Sequence, residues 1–254
     1  MIVSLAWLKD YTDIKADPET FCDRMIMSGS NLETMEHVGC DMENVVVGRI
    51  LKIEKHPDAD KLVVCQLDVG KEKPVQIVTG APNVFEGAYV PVALDGSRIP
   101  GPLHGQPKTD DGVVIKAGKL RGVESEGMLC SFGELGFADK VVPVNQRDGI
   151  WILNGEYPVG KDFAEALELK DSVIDFEITP NRPDCLSMVG MAREAAATFG
   201  DKVKYPQTQC RDEEGDASDF VSVEIKSELC KRYVARIVKD VKVEESPWWL
   251  QRRL

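Results

Sequence analysis

The sequence predicts an α+β protein interrupted by an inserted all-β barrel, with a further unit beginning after a polar stretch. Three observations carry this prediction. Residues 40–150 hold many short β-prone runs divided by turn chemistry, the cadence of a closed or nearly closed barrel. The flanking stretches 1–39 and 151–200 each combine a strand pattern with a capped helix pattern. Residues 201–218 are polar, poor in apolar side chains, and read as a linker.

Taken in order, Met1–Leu8 opens with a β-prone run. Asp17-Pro18-Glu19 starts a helix, because Asp17 can cap it and Pro18 suits its first position. Phe21, Cys22, Met25 and Ile26 recur at helical spacing, and Ser28-Gly29-Ser30 stops the run, with Gly29 free to adopt positive φ. Leu32–Val38 follows as a strand of imperfect alternation. The barrel strands are expected at Val45–Ile53, Leu62–Val69, Val75–Thr79, Tyr89–Leu94, Gly112–Ile115 and Gly127–Cys130. His56-Pro57-Asp58, Val69-Gly70-Lys71, Ala81-Pro82-Asn83, Asp95-Gly96 and Pro100-Gly101-Pro102 supply the turns between them. A five-stranded barrel of the OB-fold kind fits this length. Val173–Ile178 reads as a strand with Ile174, Phe176 and Ile178 on one face. Thr179–Asp184 makes a rigid turn, and Cys185–Phe199 a helix ending at Gly200, with Ala192, Ala195 and Ala196 permitting close packing.

Segments 1–39 and 151–200 are thus expected to form one small split α+β domain around the barrel at 40–150. The ends of an inserted barrel can lie close enough for that. After the linker, Val221–Ile225 alternates and Tyr233–Val238 makes a second strand pattern. Ser246-Pro247 is a helix start with Trp248, Trp249 and Leu250 on its apolar side. That helix runs only about two turns before Leu254, marginal in isolation. The expectation is a multi-domain fragment of a longer chain.

Composition narrows the function. The 254 residues are 43% hydrophobic and 29% charged, as in globular proteins. The net charge of -12 excludes a generally basic nucleic-acid coat protein, though not a local binding patch. Residues 40–150 carry 13 Lys and Arg against 16 Asp and Glu, so they hold -3 of the total and the remainder -9. Polyanion binding there should be weak and salt-sensitive. No apolar run reaches membrane-spanning length, so no membrane partner is expected, and the N-terminus lacks a signal-peptide pattern. The seven cysteines, Cys22, Cys40, Cys65, Cys130, Cys185, Cys210 and Cys230, include no CxxC, and His37, His56 and His104 are scattered. Reduced thiols in a cytoplasmic protein are expected, without a metal site.

Two stretches carry chemistry. His56-Pro57-Asp58-Ala59-Asp60-Lys61-Leu62 joins two predicted strands. It can present Lys61, with Lys55 and a hydrogen-bonding His56, at one rim of the barrel. It can equally be a turn in which Pro57 fixes φ, the two aspartates cap backbone N–H groups, and Lys61 offsets them. The second stretch, Lys116 to Ser131, places Lys116, Lys119 and Arg121 among glycines that let a ligand approach the backbone. Arg121 can fork onto a phosphate, Ser125 can touch sugar or phosphate, and Met128 can lie against a base. The alternative is a solvated loop with Met128 in the core. Asn83 could read an RNA group or brace its own turn. Thr109-Asp110-Asp111-Gly112 reads as a hairpin turn rather than a metal loop. No phosphate loop and no nucleophile–histidine–acid setting is present, so no catalytic residue is assigned.

Together these stretches resemble the bacterial phenylalanyl-tRNA synthetase beta subunit family. The resemblance rests on Val3-Ser4-Leu5-Ala6-Trp7-Leu8-Lys9, Val47-Gly48-Arg49-Ile50, Lys55-His56-Pro57-Asp58-Ala59-Asp60-Lys61-Leu62 and Ile77-Val78-Thr79-Gly80-Ala81-Pro82-Asn83-Val84. Lys119–Ser131 and Ile178-Thr179-Pro180-Asn181-Arg182-Pro183-Asp184-Cys185-Leu186-Ser187 extend it, the last being the most specific. It runs in order from residue 1 to about 200 and resumes near Ser246. The barrel motifs alone also resemble free-standing tRNA-binding modules; the flanking segments favour the beta subunit.

The resemblance implies that 40–150 is an auxiliary OB-fold tRNA-binding domain; read with it, the residues expected to touch RNA are Lys61, Lys116, Lys119, Arg121, Ser125 and Met128, with His56 and Asn83 in lesser roles. It implies tRNA(Phe) as the RNA, not DNA, and an alpha subunit in an (αβ)2 heterotetramer. ATP and Mg2+ would serve the full enzyme, with no cofactor in this fragment. Residues 219–254 would be the truncated start of an editing domain. There Leu229-Cys230-Lys231-Arg232-Tyr233 departs from the family's Cys-Pro-Arg-Tyr by a lysine in place of proline. The rival expectations are a free-standing tRNA-binding protein and a protein-docking module with no RNA contact.

Overall fold

The computed structural model describes residues 1–103, 112–208 and 215–253. The Thr109–Asp111 turn, His104 and Cys210 lie outside the described residues. Within them the chain is mostly β-sheet with few helices.

Near the N-terminus, β1 (Ile2–Ser4) passes at once into a short helix, α1 (Leu5–Leu8). The β-prone composition hid this switch. Ser4 is its cause: its side chain accepts from the Trp7 N–H (3.0 Å) and caps the turn. The second helix, α2 (Pro18–Met27), starts as expected, with Asp17 accepting from the Thr20 N–H (2.8 Å). Those bonds hold the Asp17 carboxyl below the usual carboxylate range. Gly29 leaves the helix at φ +102°. Then β2 (Asn31–Val38) pairs antiparallel with β11 (Asp171–Glu177), whose other edge takes β1. The resulting three-stranded sheet, β1-β11-β2, packs with α2 and α4 (Met188–Phe199) around Val3, Phe21, Met25, Ile174, Phe176 and Met191. Ser187 caps α4 and Gly200 ends it at φ +70°.

The second sheet has six strands. They are β3 (Glu43–Lys55), β4 (Val63–Asp68), β5 (Val75–Thr79), β6 (Tyr89–Ile99), β7 (Val113–Val114) and β10 (Gly127–Leu129). Their path is β10-β6-β3-β4-β5, all antiparallel, with β7 on the far part of β6. The two ends of the path meet. Glu126 N–H donates to the Gln76 carbonyl (2.8 Å), and Val78 N–H donates to Ser125 Oγ (3.1 Å). One side of this sheet encloses Ile50, Cys65, Leu67, Ile77, Val90, Val92 and Leu129. A separate small ribbon, β8 (Gly118–Leu120) with β9 (Val123–Ser125), lies beside β5.

Residues after 150 do not group as the pattern suggests. Trp151, Leu153, Phe163, Ala164 and Leu167 pack with Val45, Val47, Ala93 and Phe132 on the six-stranded sheet, not with α4. Trp151 stacks on Phe132, ring centroids 3.9 Å apart, and meets Phe163 edge-on. The short helix α3 (Phe163–Ala166), capped by Asp162, belongs to this layer. Packing therefore changes partner near residue 170.

Two further expectations are corrected. Residues 201–205 are not a free linker: Lys204 N–H donates to the Tyr11 carbonyl (2.7 Å), and Asp201 accepts from Asp13 N–H (2.8 Å). Neither Val221–Ile225 nor Tyr233–Val238 is a strand. Their side chains stand exposed, and a strand pattern without a partner strand and an apolar face to cover has nothing to stabilise it. The helix signal at Ser246-Pro247 does give α5 (Trp248–Gln251), where Trp248 donates to the Leu167 carbonyl (2.9 Å) and leans on Trp151.

Candidate nucleic-acid interface

Three segments converge at one end of the six-stranded sheet. The β3 end at Lys55, the β4 start at Val63 and the β5 end at Thr79 lie in register there. The loop 56–62 connects the first two. It closes on itself, His56 N–H donating to the Leu62 carbonyl (3.2 Å) and Leu62 N–H to the Ala59 carbonyl (3.3 Å). Lys55, Asp58, Asp60 and Lys61 all face solvent.

The β8–β9 ribbon arrives beside it. Its strands are joined by the two residues Arg121 (φ +45°) and Gly122 (φ +90°), both in the left-handed region, the pattern of a type I′ hairpin turn. Asn or Gly is the usual first residue of such a turn. An arginine there costs conformational energy, and places a guanidinium at an exposed tip. Lys119, on the strand leading to the tip, is exposed and faces Glu124 across the ribbon (3.6 Å). Exposed pairs of this kind contribute little and exchange readily for other anions.

The loop and the turn are joined by His56. Its ring is only 5% exposed; Nδ1 accepts from Asp58 N–H (3.1 Å) and Nε2 meets the Leu120 carbonyl (3.1 Å). Lys61 and Arg121 therefore stand on two linked, solvent-facing loops. Lys116 is exposed too, but at the foot of the ribbon, where Ala117 N–H donates to Asp95 (2.6 Å) beside the Asp95-Gly96 bend of β6.

Four of the residues singled out in the sequence are engaged inside the fold. His56 is buried as described. Ser125 is 3% exposed, its Oγ accepting from Val78 N–H and donating to the Gly127 carbonyl (2.9 Å). Asn83 braces a turn: Nδ2 donates to the Ile150 carbonyl (2.8 Å) and Oδ1 accepts from Ile150 N–H (3.0 Å). Met128 packs against the aromatic layer around Trp151. The reasons differ: Ser125 and Met128 lie where β10 meets β5 and are spent on that closure, whereas His56 and Asn83 are spent bracing loops, against Leu120 and Ile150.

Sequence reading missed Gln76. Its Nε2 donates to the Glu124 carbonyl (2.8 Å), and its Oε1 accepts from Gln66 (2.9 Å), so it ties the ribbon to β5 and β4. Only its outward place in an alternating strand hinted at this. Among the described residues, no group of three or more His, Cys, Asp or Glu side chains could hold a metal ion. No helix among them is long and apolar enough to cross a membrane.

Residues 45–161 match the model of the family described as "Putative tRNA binding domain". The chain is 49% identical over its whole length to the phenylalanine–tRNA ligase beta subunit of Clostridium acetobutylicum, covering 30% of that protein. It is 45% identical, again over its whole length, to that of Staphylococcus haemolyticus, covering 31%. The similarity is to the N-terminal region of these subunits, and the chain spans about a third of the length of the curated relatives it matches. A MetRS related protein from Pyrococcus horikoshii aligns at 25% identity over 46% of this chain and 84% of that one. Its TM-score is 0.29, too low to bear on the fold.

Proposed function

We propose that this chain is the N-terminal part of a phenylalanine–tRNA ligase beta subunit, and that its central sheet is a tRNA-binding OB-fold barrel. The barrel reading is supported by the strand path, whose two ends are hydrogen-bonded through Gln76, Val78, Ser125 and Glu126. In this reading 1–39 and the stretch from about 170 to 200 form the split α+β domain, and 40 to about 169 the barrel with its aromatic layer. Residues 219–254 open an editing domain.

The RNA contact falls to Lys61, Lys119 and Arg121, with Lys116 at the ribbon's foot as a peripheral phosphate contact. Ser125, Met128, His56 and Asn83 serve by holding the rim in shape. The single observation that carries this is the junction of loop 56–62 with the Arg121 turn, inside the segment that matches the tRNA-binding family. Asp58, Asp60 and Glu124 stand among these cations, so the site reads shape and phosphate at modest strength rather than gripping any polyanion. Catalysis lies elsewhere in the full enzyme, with ATP, Mg2+ and an alpha subunit in an (αβ)2 assembly in the cytoplasm.

The test is tRNA(Phe) binding by the intact protein across a salt series. Combined Lys61→Ala and Arg121→Ala substitution should weaken binding and lower the log–log salt slope by roughly 0.7–0.9 per lost phosphate contact. If this rim serves protein docking instead, the double variant binds tRNA(Phe) with the wild-type affinity and salt slope, and that result would end the proposal.

A further inference from the structure

We infer that His56 is a positioning residue: its imidazole pins the Lys61 loop to the Arg121 turn, so the two cations are presented at a preset spacing. The inference rests on the tRNA-binding reading of this rim and goes beyond it, since it assigns a specific task to a side chain that cannot itself reach RNA.

Hydrogen-bond chemistry fixes the ring's state. The Asp58 backbone N–H can only donate, so Nδ1 must be the acceptor (3.1 Å). The ring proton therefore sits on Nε2, which donates to the Leu120 carbonyl (3.1 Å), a group that can only accept. Leu120 immediately precedes the Arg121-Gly122 turn. Each nitrogen thus serves one side of the junction: Nδ1 shapes the ring's own loop, and Nε2 reaches across 64 residues to the ribbon. Pro57 follows directly and restricts the backbone beside the ring. The loop is otherwise solvent-facing, as is the ribbon tip. Gln76 ties the ribbon to β5 at Glu124 and the loop closes on itself, but the His56 bond joins the loop to the residue before the Arg121 tip; without it the two cations would shift relative to each other, and binding would have to fix their spacing.

Two substitutions separate the two nitrogens. His56→Asn keeps an acceptor near Nδ1 for the Asp58 N–H but is too short to reach Leu120. His56→Gln carries an amide donor near the place of Nε2. In the intact protein, with tRNA(Phe) as probe, His56→Asn should weaken binding by roughly three- to tenfold, the worth of one hydrogen bond. Its salt slope should stay that of the wild type, because no phosphate contact is lost. His56→Gln should restore binding to within about twofold of the wild type, since the hydrogen bond across the junction is remade.

Wild-type affinity in His56→Asn, while Lys61→Ala and Arg121→Ala still weaken binding, would overturn the pin and leave the tRNA-binding reading standing. A reduced salt slope in His56→Asn would overturn it too, by making position 56 a direct phosphate contact. Wild-type binding by Lys61→Ala with Arg121→Ala would remove the reading on which both depend. If neither His56 variant folds, imidazole 15N shifts of the wild type decide. A neutral ring protonated at Nε2 is expected, and a proton at Nδ1 would overturn the pin.

Discussion

Arg121 sets a backbone cost against an exposed charge in one residue. Its φ of +45° suits glycine or asparagine, and a side chain with a Cβ is strained there. The fold would be better served by Gly, and the only observed return for the strain is an exposed guanidinium on the ribbon tip. Arg121→Gly should therefore raise the denaturation midpoint or leave it unchanged, while tRNA affinity and salt slope both fall. Loss of stability together with unchanged tRNA affinity would show that the arginine is held for packing instead. Sequence reading singled this residue out because three cations among glycines mark a stretch where a ligand can approach the backbone. It could not tell that Ser125 and His56 bond inside the fold, because a hydroxyl or imidazole beside basic residues looks alike whether it faces outward or bonds to a neighbouring strand.

At the level of elements, the turn 179–187 and α4 form one unit whose sequence specificity is steric as much as polar. Arg182 donates to Asp184 through two nitrogens (3.1 and 3.0 Å) and to Glu194 on α4 (2.6 Å). These bonds raise the Arg182 pKa and hold the Asp184 carboxyl below the usual carboxylate range. Gly190 lies in the first turn of α4, and a Cβ there would stand 1.7 Å from the Asp184 carbonyl oxygen. Gly190→Ala gains helix propensity but must push helix and turn apart. It should destabilise the protein by about 2 kcal/mol or more, read as a fall in the urea midpoint. A neutral result would mean the turn yields freely. Helix α2 and the end of α4 were legible in advance because Asp17, Pro18 and Gly200 act locally; the start of α4 was not, since the helix expected from Cys185 begins only at Met188, capped by Ser187. The β8–β9 ribbon was not, because a type I′ turn beginning with arginine carries no local signal.

For the molecule as a whole, stability depends on keeping buried thiols protonated. Burial pushes Cys65 up to about 11 from an ordinary value of 9.0, and Cys130, enclosed in the aromatic layer, is raised further. The folded state therefore prefers the protonated thiols. Its stability is fully present below pH 9 and is lost as pH rises through about 11, because the unfolded chain releases those protons first. Each thiol adds a slope of about 1.4 kcal/mol per pH unit in that window. Denaturant midpoints measured between pH 8 and pH 11 should fall, and Cys65→Ala should flatten part of the fall. An unchanged profile in that variant would place the alkaline loss on other groups.

Local chemistry and periodicity determined which residues cap, turn and alternate in α2, in the long strands of the second sheet and in the strand and helix after 170, with the two stretches that bear cations, but not α1, α3 or the β8–β9 ribbon. They also made the whole chain's likeness to ligase beta subunits readable, because the motifs survive in order. The tertiary structure alone decided partners. It gave Trp151 and Phe163 to the six-stranded sheet, left 221–238 without a ladder, and folded Ser125, Asn83 and His56 inward. Capping acts over three or four residues and can be read along the chain. Which distant surface will satisfy a hydrogen bond or cover an apolar face depends on how the sheets meet, which sequence spacing does not encode.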